Sequence, residues 1–124
     1  MFIPLNHKTL DVYKAAHEML LECYKITSLL PQEEKYVLVS QIRRASLSVK
    51  LNIAEGSSRK SPSERKRFYE VARSSVVEID SAMEAVVDLK YVTLEKLQKL
   101  GVLLNRCFSM LCNMTGGNKG PGNL

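Results

Sequence analysis

Apolar residues in this chain recur at alternating steps of three and four, in four separate segments, and that spacing argues for amphipathic helices. In the first segment Val12, Ala16, Met19, Cys23, Ile26 and Leu30 fall on one stripe. The second carries Leu38, Ile42, Ala45, Val49 and Ile53, and the third carries Phe68, Ala72, Ser75, Ile79, Ala82, Val86 and Leu89. Leu97, Leu100, Leu104, Cys107, Phe108, Leu111 and Met114 form the fourth. No period-two run of β-branched residues competes, so no strand is expected.

Punctuation sets the expected bounds. Pro31 closes the first helix, because a residue before proline is pushed out of the α region. Gly56 is read as the left-handed residue at which the second helix stops. The third start is the clearest: Ser61 as N-cap, Pro62 at the first helical position and Glu64 completing a capping box. Lys90-Tyr91-Val92 breaks the third run, and Thr93 is positioned to cap the fourth, with Glu95 in its first turn. The helices are thus expected at about 11–29, 36–55, 62–89 and 94–114. Residues 1–9 form an N-terminal arm, 10–115 the bundle, and 116–124, rich in glycine, a flexible tail.

Four such helices with short connections predict an all-α fold: an antiparallel, up-down-up-down, left-handed four-helix bundle. A length of 124 residues leaves no room for a second core. No segment reaches the roughly 20 apolar residues of a membrane span, and the N-terminus has no signal-peptide pattern, so a cytoplasmic protein is expected. Cys23, Cys107 and Cys112 are odd in number and lie on helical stripes, as small buried hydrophobes do.

Catalytic and metal chemistry are not indicated. There is no glycine-rich phosphate loop, and no Glu-x-x-His motif of the kind that di-metal bundles use. His7 and His17 are the only histidines; His17 lies off its apolar stripe and reads as solvated. No enzyme activity, metal or cofactor is expected.

The charge is unevenly placed. The chain carries a net +5, yet residues 35–67 hold nine basic residues against two acidic ones, while the remainder is slightly acidic. That asymmetry points to an anionic partner. The candidate nucleic-acid-binding residues are Arg43, Arg44, Lys50, Arg59, Lys60, Arg65, Lys66 and Arg67. Arginine forks suit phosphates, and no aromatic residues interleave with them, so RNA or DNA would be held by its backbone with little sequence readout. The alternative is an interaction scaffold whose arginines serve assembly. Glu78 is positioned to face the arginines of the second helix.

The second helix has two apolar faces. At about 100° per residue, Leu47, Leu51 and Ala54 fall opposite its inner stripe, flanked by charge. A monomer would leave them in water, so self-association through this face is expected, with Leu21 of the first helix extending the contact.

The run Ser40-Gln41-Ile42-Arg43-Arg44-Ala45-Ser46-Leu47-Ser48-Val49-Lys50-Leu51-Asn52-Ile53-Ala54-Glu55-Gly56 resembles the signature of a known family. These are the four-helix bundle proteins encoded in intervening sequences of bacterial 23S ribosomal RNA. The pattern continues through Arg59, Ser61, Glu64, Arg67, Phe68, Ala72, Ser75 and Glu78, and the likeness runs from about Leu10 to Leu111. Lys50 stands where a proline is usual, and Ser74 and Lys90 stand where glycines are typical. The resemblance implies a homopentameric ring with a basic surface. It extends to the accessory variability proteins of diversity-generating retroelements, which implies nucleic acid and a nucleic-acid enzyme as partners.

Overall fold

Each of the four periodic segments is helical in the computed structural model, which describes residues 1–116. We label the helices α1 (Asp11–Thr27), α2 (Ser40–Ser58), α3 (Pro62–Asp88) and α4 (Gln98–Thr115). No strand occurs among the described residues. The expected tail beyond Gly116 lies outside them.

The helices touch in the cyclic order α1, α2, α3, α4 and back to α1. Cross-helix bonds set their direction. Arg43 on α2 bonds to Thr27 on α1, while Lys50, further along α2, bonds to the earlier His17. Gln41 bonds to Glu78 and Ser48 to Ser75, so α3 likewise runs against α2. The fully buried side chains Met19, Cys23, Ile42, Val49, Ile53, Ile79, Val86, Leu100, Cys107 and Leu111 form one core drawn from all four helices.

The helix ends differ from the punctuation in instructive ways. α1 stops at Thr27, short of Pro31, where Thr27 Oγ1 and Ser28 Oγ donate to the carbonyls of Cys23 and Lys25 at 2.7 and 2.6 Å. Leu29 and Leu30 then tighten into three-residue turns. α2 is preceded by a π turn at Lys35–Val39 and runs on past Gly56 to Ser58. Gly56 is therefore no helix stop: it is buried, and a Cβ there would lie 2.9 Å from Tyr69 Cε1 and 3.0 Å from Phe68 Cβ. This glycine lets α3 approach α2, where Ser48 and Ser75 also meet hydroxyl to hydroxyl at 2.9 Å. Arg59, in extended conformation, ends the helix.

At the start of α3, Ser61 Oγ accepts the Glu64 N–H at 3.4 Å with Pro62 behind it. The reciprocal half of the box does not form; Ser61 Oγ meets Ser63 Oγ at 2.9 Å. The end of α3 is a Schellman motif, with Tyr91 N–H donating to Val86 O at 3.1 Å and Lys90 N–H to Val87 O at 2.9 Å. Lys90 supplies the left-handed residue, with φ of 65°. The turn buries Val92 and leaves Leu89, expected on the inner stripe, exposed. Thr93 makes no side-chain cap; a 3-10 turn at Leu94–Leu97 leads into α4, which ends on left-handed Gly116.

The expected N-terminal arm is partly tied down. Asn6–Thr9 form a 3-10 turn, and His7 is buried edge-on against Tyr13, ring centroids 4.7 Å apart.

Candidate nucleic-acid interface

The eight basic residues singled out from the sequence do not form one patch. Arg43 and Lys50 stand seven positions apart on α2, two helical turns on one side of the helix, and both lean onto α1. The Arg43 guanidinium lies 4.4 Å from the Tyr24 ring centroid, and its Nε donates to Thr27 Oγ1 at 2.8 Å. Lys50 Nζ sits 5.6 Å from the Tyr13 ring centroid and 3.0 Å from His17 Nδ1. An ammonium has only donors, so His17 Nδ1 accepts; the exposed histidine is not simply solvated. Arg59 pairs with Glu55 at 3.0 Å and covers the Phe68 ring at 5.0 Å. These three cations are used within the fold.

The other five are not. Arg44 is exposed on the outer side of α2. Lys60 sits in the turn joining α2 to α3, and Arg65, Lys66 and Arg67 in the opening turns of α3. None of the five enters an ion pair or a side-chain hydrogen bond among the described residues. Lys60, Lys66 and Arg67 are exposed and Arg65 is half-buried. Those four make a basic tip at one end of the bundle, and Arg44 stands apart, about four turns back along α2. Glu78 does not meet the arginines of α2; its carboxylate accepts from Gln41 Nε2.

The second apolar face of α2 is present. Leu47 and Leu51 are 42% and 53% exposed, Leu21 on α1 is 57% exposed, and Ala54 is half-buried. Because Arg43 sits beside Tyr24 and Lys50 beside His17, Leu47 and Leu21 lie at one level.

Sequence reasoning missed Arg73, which donates to Thr115 Oγ1 at 3.1 Å and ties α3 to the end of α4. It also missed the acid-lined groove between α3 and α4. All three cysteines are buried and unbonded to one another. Burial pushes the Cys23 and Cys107 thiols up to about 12, so neither is a nucleophile at neutral pH. Among the described residues no helix is long and apolar enough to cross a membrane, and no group of three or more His, Cys, Asp or Glu is placed to hold a metal ion.

A family model described as 23S rRNA-intervening sequence protein matches residues 8–113. The chain belongs to that family. Among solved structures, a Bacteroides thetaiotaomicron protein of unknown function from the S23 ribosomal protein family superposes with a TM-score of 0.77. The two are 20% identical, with 84% of this chain and 97% of that one covered, a likeness that carries the fold alone. A search of the curated proteins finds no match. In this 23S rRNA-intervening sequence protein the departures from the family pattern have local consequences. Lys50, in the proline position, leaves α2 unbroken there and adds a bond to α1. Lys90, in a glycine position, adopts the left-handed conformation itself. Ser74 lies exposed on α3.

Proposed function

We propose that this protein is a non-catalytic, self-associating bundle that holds the phosphate backbone of RNA or DNA at its α2–α3 tip. The observation that carries the reading is the concentration of Lys60, Arg65, Lys66 and Arg67 on one turn and the helix start that follows it, with no carboxylate paired to them among the described residues. The N–H groups and positive dipole end of α3 add to the attraction for an anion there. One tip is a modest site. Repeated around a homopentamer, the assembly implied by the family resemblance, it would bind a continuous backbone far more tightly than any single copy. The buried, reduced cysteines suit a cytoplasmic setting.

Binding of labelled RNA and duplex DNA across a salt series tests the reading. Four phosphate contacts would give a slope of about −3 to −4 in log affinity against log salt on a duplex for each tip engaged. Lys60→Glu with Lys66→Glu should abolish binding while light scattering reports the parent mass. Affinity that ignores salt, or that survives the double reversal, would refute it.

A second reading has its own observation. Arg43, Lys50 and Arg59 serve contacts between or along helices, which favours a scaffold that docks a protein partner such as a nucleic-acid enzyme. On that reading the same double reversal lowers the oligomer mass instead.

A further inference from the structure

On the side of the bundle opposite the α1–α2 face, a groove runs between α3 and α4. Val77, Leu104 and Phe108 line it near mid-length, and Asp80, Glu84 and Asp88 line the half away from the basic tip. No basic residue lines it, and Val77 is 49% exposed. The α1–α2 face carries the opposite charge. There, Leu21, Leu47 and Leu51 are bordered by Lys25 and Glu18 on α1 and by Arg43, Arg44, Lys50 and Glu55 on α2, a basic balance in which Glu55 is already paired with Arg59 and Lys25 and Arg44 are exposed.

The two surfaces also match in height. The Gln41–Glu78 and Ser48–Ser75 bonds bring Leu47 level with Ser75 and Val76 of α3, within one turn of Val77. Leu21 shares the level of Leu47 through the α1–α2 bonds. From that level Lys25 and Arg44 lie toward the end away from the tip, as do Asp80 and Glu84.

We propose that this groove receives the Leu21–Leu47–Leu51 face of a second copy of the chain, with Lys25 and Arg44 of that copy set against Asp80 and Glu84. The proposal rests on the self-association in the reading above and supplies the missing half of the contact. A face meeting itself about a two-fold axis would bring like charges together, which disfavours that pairing. A face meeting a groove is heterologous: every copy keeps one of each, so the contact repeats from copy to copy. Equal height places neighbouring copies side by side without a shift along the bundle axis.

Sedimentation of the full chain at one fixed concentration tests this. Asp80→Lys with Glu84→Lys disables the groove, and Leu47→Ser with Leu51→Ser disables the face. Each variant alone should sediment as a 14.0 kDa monomer. An equimolar mixture should form a heterodimer of twice that mass, because one intact face then meets one intact groove. Adding Lys25→Glu and Arg44→Glu to the groove variant should restore the parent mass. Helical circular dichroism is read beside every sample, and Val77→Ser replaces the charge reversal should that variant lose helical signal.

A parent chain that is monomeric overturns the proposal. So does a groove variant that keeps the parent mass, a mixture of folded variants that stays monomeric, or a folded charge-swapped chain that does not reassemble. None of these substitutions touches Lys60 or Lys66, so a tip that fails to bind nucleic acid would leave every mass unchanged, and the two readings fail separately.

Discussion

Replacing Gly56 with alanine sets two effects of opposite sign against each other in a single methyl group. In a helix interior alanine is favoured over glycine by about 1 kcal/mol, and Gly56 lies within α2. Against that gain, the new Cβ would stand 2.9 Å from Tyr69 Cε1 and 3.0 Å from Phe68 Cβ, whereas carbon atoms rest at about 3.5–4.0 Å. Neither neighbour yields easily. The Tyr69 hydroxyl is held 2.9 Å from Ser57 Oγ, and Phe68 Cβ moves only with the α3 backbone. Overpacking of this kind costs about 1–3 kcal/mol, so Gly56→Ala should destabilise the protein by about 1 kcal/mol net. Urea denaturation at fixed chain concentration should show a lower midpoint with an unchanged m-value. A helix-stop glycine would also resist alanine, so the deciding measurement is a double-mutant cycle with Tyr69→Leu. Removing the ring should relieve most of the alanine cost, with a coupling of about 1 kcal/mol. An alanine penalty undiminished in the Tyr69→Leu background would refute the close-approach argument, and an alanine that raises the midpoint would refute it more directly.

Two further predictions follow from single residues. Lys90→Gly should stabilise the fold by about 0.5 kcal/mol, since relief of a left-handed non-glycine residue (about 1–2 kcal/mol) exceeds the added freedom of the unfolded chain (about 0.4–1 kcal/mol). A thermal midpoint raised by roughly 2 °C would agree; a fall would mean that the Lys90 side chain contributes to the turn. Burial first, and then the charge of Lys8, hold the His7 imidazole below its usual 6.5. The unfolded chain therefore takes up the proton first, and stability should decline as pH falls through 6.5 toward the lowered folded value. Urea midpoints at about pH 7.5 and about pH 5.5 should differ less in His7→Gln than in the parent.

The fold was legible where a helix presents one stripe to its surroundings. On α1, five of the six stripe residues, Val12, Ala16, Met19, Cys23 and Ile26, are buried as the spacing requires. On α3 the stripe through Ala72, Ile79 and Val86 traces only one ridge. That helix lies between α2 and α4, so a second ridge of Tyr69, Val76 and Met83 is buried as well. Gly56 was misread because a glycine near a helix end has two physical uses, a left-handed stop or a close approach. Only the position of Tyr69 and Phe68 on another helix separates them. At Lys90 the break was visible while its conformation was not, since a lysine gives no sign of accepting a positive φ.

Charge was the least legible feature, because proximity along a helix is not proximity in space. Arg43 and Arg44 are neighbours in sequence, yet one covers the Tyr24 ring and the other faces out. A signal for the first did exist. Tyr13, His17 and Tyr24 lie on one side of α1 at steps of four and seven, matching the seven-residue separation of Arg43 and Lys50 on an antiparallel neighbour. A cation that has such a ladder to lean on is a poor candidate for phosphate. The distinction is measurable at Arg43. Arg43→Lys keeps the charge but loses the planar guanidinium over Tyr24 and the geometry of the Thr27 bond. It should lower the urea midpoint and leave nucleic-acid affinity where it was, whereas Lys60→Glu should do the reverse. A loss of affinity with Arg43→Lys at unchanged stability would return Arg43 to the binding surface, and would show that the contacts with α1 are incidental to its role.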